Sequence, residues 1–114
     1  MQTLLEKESI HSEVLEQLLQ ARSANEVAFI LVDVREPMEH EEGHILGVDF
    51  LKPTSTFEQW AEAFFKEYQD ETIIFTCRTG ARSGQVQQIF KRSGHPRVIN
   101  HAGGITSYSG EIVR

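Results

Sequence analysis

The chain has 114 residues, a net charge of −6 and 39% apolar content. That suffices for one domain with one core, and the acidic balance argues against a broad nucleic-acid surface. The apolar runs are only a few residues long, so no membrane-crossing segment is expected, and Met1–Glu8 lacks the basic and apolar blocks of a secretory signal.

Val14, Leu15, Leu18 and Leu19 recur at helical spacing, with Ser12 as the expected N-cap. Residues 29–34 (Phe-Ile-Leu-Val-Asp-Val) read as a buried strand, followed by a short acidic helix over 36–41 with Pro37 in its first turn. Residues 43–48 suit a short extended piece before a loop at 52–55. Phe57, Trp60, Ala61, Phe64, Phe65 and Tyr68 then fall on one helical face, the strongest periodic signal in the chain. A strand over 72–76 leads into the loop that begins at Cys77. The helix after Arg82 is expected to turn Val86, Ile89 and Phe90 inward and to close at Gly94. A strand at 97–99 and a turn at Gly103-Gly104 follow. Strands alternating with helices imply an α/β fold with a parallel sheet and helices on both faces.

Cys77 is the only cysteine. It cannot form an intrachain disulfide, which fits a free thiol in a reducing compartment, so a cytoplasmic location is expected. It also lies where a strand's carboxyl end meets a helix amino end, the place where open α/β sheets bind ligands. The sequence Cys77-Arg78-Thr79-Gly80-Ala81-Arg82-Ser83 offers two cations, a glycine free to take positive φ, and successive N–H groups. A thiolate is stabilised by such surroundings, so Cys77 is expected to be a nucleophile of lowered pKa. Ser83 would cap the helix or donate into the loop.

The chain resembles a single-domain rhodanese, a member of the sulfurtransferase family, from about Ile10 to Tyr108. Four pieces in order carry the resemblance: Leu31-Val32-Asp33-Val34-Arg35-Glu36-Pro37 with Glu39; Gly43-His44-Ile45 with Gly47; the Cys77–Ser83 loop; and Asn100-His101-Ala102-Gly103-Gly104-Ile105. Leu46 stands where the family usually has proline, and the tryptophan often found shortly after the double glycine is absent. The resemblance implies a rhodanese fold with a central parallel five-stranded sheet, as one domain over 1–114. It also implies that Cys77 takes the outer sulfur of a donor such as thiosulfate and passes it as a persulfide to cyanide or a thiol, which could be a protein thiol. In that scheme Arg78 and Arg82 bind the anion, with Thr79, Gly80, Ala81 and Ser83 completing the cradle. No cofactor, metal, nucleic acid or membrane is implied.

Other readings are weaker. Phosphatase-type loops place five residues between cysteine and arginine, whereas four separate Cys77 from Arg82. A phosphatase or arsenate reductase is therefore a less favoured alternative, as is a module that binds or relays sulfur to a partner. His40-Glu41-Glu42-Gly43-His44 matches a zinc-protease string, but Gly43 weakens the helix it needs and no distant third ligand is evident. Asp33 and Arg35 are expected to support the site as a structural charge network with Glu39 or Glu42. His44 is expected to be a hydrogen-bonded turn residue, His101 could be functional or structural, and Trp60 is core or borders a substrate opening.

Overall fold

A computed structural model describes residues 2–114 of the chain. Five strands form one sheet in the order β1-β6-β5-β2-β4, where β1 is Ser9–Ile10, β2 Ile30–Asp33, β4 Phe50–Leu51, β5 Ile73–Thr76 and β6 Val98–His101. Every pairing in it is parallel. β3 (His44–Ile45) and β7 (Ile112–Val113) make a separate antiparallel ribbon. The α-helices are α1 (Ser12–Ser23), α2 (Pro37–Glu42), α3 (Phe57–Glu67) and α4 (Ala81–Arg92).

Side chains alternate across a strand, and the sheet uses both of its faces. Leu31, Ile74 and Ile99 point to one side and pack with Leu15, Leu18 and Leu19 of α1. Their neighbours Val32, Ile73, Phe75 and Val98 point to the other and meet Trp60 and Phe64 of α3 and Val86 and Phe90 of α4. Phe75 is fully buried and lies edge-on to Phe90 with ring centroids 5.1 Å apart. Truncating such a phenylalanine to alanine costs about 3–5 kcal/mol. The same alternation decides the site. Thr76 and His101 fall on the α1 side, while Cys77 and Asn100 fall on the α4 side.

The expected class and central sheet are present, with four local differences. The two-residue edge strands β1 and β4 are too short to leave a periodic signal. Ser12 is not the cap of α1 but its first residue; His11 is the cap, and the Ser12 hydroxyl turns to His101 instead. α4 begins at Ala81, ahead of Arg82, because Gly80 at φ 98° serves as its N-cap. Ile89, expected inward, is 42% exposed. The inner stripe of α4 is Ser83, Val86, Gln87 and Phe90, and two of these are polar. Gln87 Nε2 donates to the carbonyls of Glu8 and Val98, which makes a polar side chain the better core residue there. Trp60 is core, its indole N–H donating to the Pro53 carbonyl at 2.8 Å. Leu46, in the family's usual proline position, is exposed. Where the family often has tryptophan, Ile105 and Tyr108 pack against the α1 cluster. Among the described residues, no helix is long and apolar enough to cross a membrane.

Candidate active site

β5 ends at Thr76, and Cys77 turns its sulfur back beneath the loop that enters α4. Three donors meet Sγ: Gly80 N–H at 3.1 Å, Ser83 N–H at 3.4 Å and the Ser83 hydroxyl at 3.3 Å. Gly80 can aim its N–H inward because it adopts the left-handed region, and the space beside it is narrow. A Cβ there would lie 3.0 Å from the Gly103 nitrogen and 3.3 Å from the His101 carbonyl oxygen. The amino end of α4 adds its partial positive charge to the same spot.

Burial is the largest single influence on the Cys77 thiol and opposes ionisation. The Ser83 hydroxyl and the N–H groups of Ser83, Gly80 and Thr79 together outweigh it, holding the thiol below its ordinary range. The thiol is 1% exposed, with Val32, Val34, Phe75 and Val86 in the apolar cluster that it joins. Arg78, Thr79 and Ala81 are exposed and roof the loop. A cleft of about 300 Å³ adjoins them, lined by Arg35, Glu39, Glu42, Arg78, Ile105 and Ile112 among others; Cys77 does not line it.

The two arginines of the loop are placed differently. Arg82 gives Nη1 and Nη2 to the two carboxylate oxygens of Glu39 at 2.7 and 2.9 Å. Its guanidinium is thus held by the carboxylate of α2. Glu39 also accepts the Glu36 backbone N–H at 2.9 Å, half of a capping box that starts α2. The Arg82 hydrogen bonds foremost hold the Glu39 carboxyl at about 2, against its partial burial. Arg78 stands at the cleft and has no carboxylate within ion-pair distance among the described residues.

The supporting residues sit on the same sheet edge. Arg35 grips Asp33 through Nε and Nη2 at 2.9–3.1 Å and donates to the Gly43 carbonyl at 2.7 Å. This buried network binds the end of β2 to the end of α2, so its carboxylate is Asp33, and not Glu39 or Glu42. His40 Nδ1 shares Asp33 at 2.9 Å. His44 Nδ1 donates to the His40 carbonyl at 2.9 Å, and the two imidazoles stack 3.8 Å apart. His44 is therefore a turn residue, as expected. Both Nδ1 atoms of the zinc-like string are engaged within the protein.

Two residues of β6 matter more than the sequence reading assigned. Asn100 Nδ2 donates to the Gly80 carbonyl at 3.1 Å, and its Oδ1 accepts from Ser83 at 2.6 Å. His101 is fully buried between two hydroxyls, Thr76 at Nδ1 and Ser12 at Nε2, both at 2.8 Å. Ser12 continues to Ser107 at 2.7 Å, and Ser107 donates to the Gly104 carbonyl. Burial, with a smaller push from His11, lowers the His101 pKa to about 4, so the ring is neutral and structural. The chain it anchors presses the glycine turn against the cysteine loop, where Ile105 N–H donates to the Cys77 carbonyl at 2.9 Å and Thr106 N–H to the Arg78 carbonyl at 3.1 Å. The only sequence signal for these roles was their place in a resemblance motif.

Comparison with known proteins identifies the family and the fold. The sequence profile of the rhodanese-like domain matches residues 14–111. The Bacillus subtilis protein YqhL, described as uncharacterized, is 34% identical over 82 residues, covering 72% of this chain and 62% of YqhL. This chain thus spans less than two thirds of that relative's length. A protein named sulfurtransferase from Allochromatium vinosum is 30% identical over 98 residues, covering 86% of this chain and 88% of its own. A rhodanese-related protein from Thermoplasma volcanium superposes with a TM-score of 0.75 at 23% identity, over 94% of this chain and 98% of its own, which is a likeness of fold.

Proposed function

The chain belongs to the rhodanese-like domain family, and from that premise we propose that it is a sulfurtransferase working through a persulfide on Cys77. The observation that carries the proposal is the single thiol at the carboxyl end of β5, met by three inward donors that favour its ionised form. The thiolate attacks the outer sulfur of thiosulfate. The sulfur–sulfur bond of the donor breaks, its electron pair leaves with sulfite, and Cys77 keeps the transferred sulfur as a persulfide anion. Cyanide or a thiolate then bonds to that outer sulfur, the persulfide's sulfur–sulfur bond breaks, and its electron pair returns to the Cys77 sulfur. The negative charge stays at the loop throughout, so the same N–H donors serve both halves.

Arg78 is the cation we assign to the incoming dianion, because Arg82 is held by Glu39. That pairing also weakens the phosphatase alternative, in which the arginine must be free to embrace a tetrahedral anion. Since Cys77 is covered, access requires an outward movement of the loop above it, in which Arg78, Thr79 and Ala81 are exposed. A protein thiol as acceptor is supported by a Bacillus subtilis relative described as a sulfur carrier, 31% identical over 81 residues. We place the reaction in the cytoplasm, where a lone thiol stays reduced.

Intact mass after thiosulfate treatment tests the proposal. A gain of one sulfur, removed by cyanide with release of thiocyanate and absent in Cys77→Ala, is expected. An unchanged mass together with hydrolysis of an aryl phosphate would favour the phosphatase.

A further inference from the structure

Asn100 lies on the α4 side of the sheet, where Gly84 leaves room for it; a Cβ at Gly84 would sit 3.2 Å from Asn100 Nδ2. The side chain makes two bonds, both to residues that donate to the Cys77 sulfur. Nδ2 donates to the carbonyl of Gly80, and Oδ1 accepts from the hydroxyl of Ser83. Ser83 is fully buried, and its hydroxyl has one proton but two acceptors in reach: Asn100 Oδ1 at 2.6 Å and Cys77 Sγ at 3.3 Å. It cannot serve both at once.

We infer that Asn100 is a positioning residue for the nucleophile, fixing Gly80 by its amide and sharing with Cys77 the single hydroxyl proton of Ser83. While the thiol is neutral, the shorter bond to the Asn100 carbonyl holds that proton. When the sulfur is ionised, as thiolate or persulfide, a charge-assisted bond draws the hydroxyl round to it. Asn100 is thus the competitor that sets how readily the donor reaches the sulfur. The charged and titratable groups around the sulfur do not compete for this proton. Arg82 of α4 is paired with Glu39 of α2, and Asp33 and Arg35 at the end of β2 are closed on each other. His101 is turned to the other face of the sheet, and Arg78 is on the outer side of the loop.

This inference rests on the reading of Cys77 as the working thiol, yet it is tested without sulfur transfer. Alkylation by iodoacetamide is followed against pH, and because Cys77 is the only cysteine no other thiol contributes. Asn100→Asp keeps the acceptor, strengthens its hold on the proton and removes the bond to Gly80. The midpoint is expected to rise by about one unit, slowing alkylation below it about tenfold. In a Ser83→Ala background the same substitution is expected to shift the midpoint by less than half as much. An unchanged midpoint, or equal shifts in both backgrounds, overturns the inference; thermal melting of each variant shows that the fold is retained. An ordinary midpoint in the unsubstituted protein counts instead against Cys77 as an activated thiol.

Discussion

Glu39 and Arg82, forty-three residues apart, meet as a fork on a fork: both carboxylate oxygens take both terminal nitrogens of the guanidinium. The pair joins α2 to the first turn of α4, and so braces the loop from outside. Planar bidentate geometry gives such a pair direction as well as attraction.

The pair should make stability depend on acidity in a defined window. Glu39 has its folded pKa lowered from 4.5 to about 2, so its contribution is complete above 4.5 and is lost as pH falls toward 2. The pair is partly solvated, which limits the effect to about 1 kcal/mol. Urea unfolding between pH 2 and 6 should show this slope in the wild type and lose it in Glu39→Gln.

The arginines should separate kinetically. Arg78→Ala is expected to raise KM for thiosulfate severalfold while leaving the melting temperature nearly unchanged, because Arg78 is exposed and has no carboxylate partner among the described residues. Arg82→Ala should lower kcat and also destabilise the fold by about 1 kcal/mol, since it leaves Glu39 unpaired. Identical kinetics and melting for the two variants would contradict the division of roles.

Gly104 and Gly94 both have positive φ, at 60° and 99°, yet alanine should affect them unequally. At Gly94 a Cβ meets nothing within 4 Å, and only the conformational cost of about 1 kcal/mol applies. At Gly104 it would fall 2.4 Å from the Arg78 carbonyl oxygen and 2.5 Å from that of Cys77. Backbone cannot swing aside as a side chain can. Gly104→Ala is expected to cost at least about 3 kcal/mol and to displace the cysteine loop, read by calorimetry and by loss of sulfur loading.

His101 supplies a second acid-sensitive element. Its folded pKa, near 4, lies below the ordinary 6.5, so between these values the unfolded chain binds the extra proton. Stability is therefore full above pH 6.5 and declines by up to about 3 kcal/mol as pH falls to 4. His101→Gln should be less stable at pH 7, having lost ring packing, but should show a flatter profile over that interval. A wild-type profile that is flat from pH 6.5 to 4 would refute the assignment.

Much of the site was readable in one dimension because it is local. A β-branched run, a cysteine and a glycine three residues later specify strand, turn and helix start through backbone preferences alone, and Gly80 indeed takes positive φ. The aromatic stripe of α3 was likewise legible, since a period of 3.6 needs no partner to be seen. Ile89 misled because helical spacing identifies a face but not its edges, and hydrogen bonds drew Gln87 inward in its place.

The linear order of residues determined that a thiol would stand at the mouth of a parallel sheet, within a single turn that is built from neighbours. Only folding decided which arginine of the loop is tied to a carboxylate. It also chose the strand order and gave Asn100 and His101 opposite faces of β6. The reason is physical: backbone preference acts over a few residues, whereas Glu39 finds Arg82, and Ser83 finds Asn100, only after distant helices and strands have packed. The Glu39–Arg82 pair and the Ser83–Asn100 hydrogen bond are consequences of that packing.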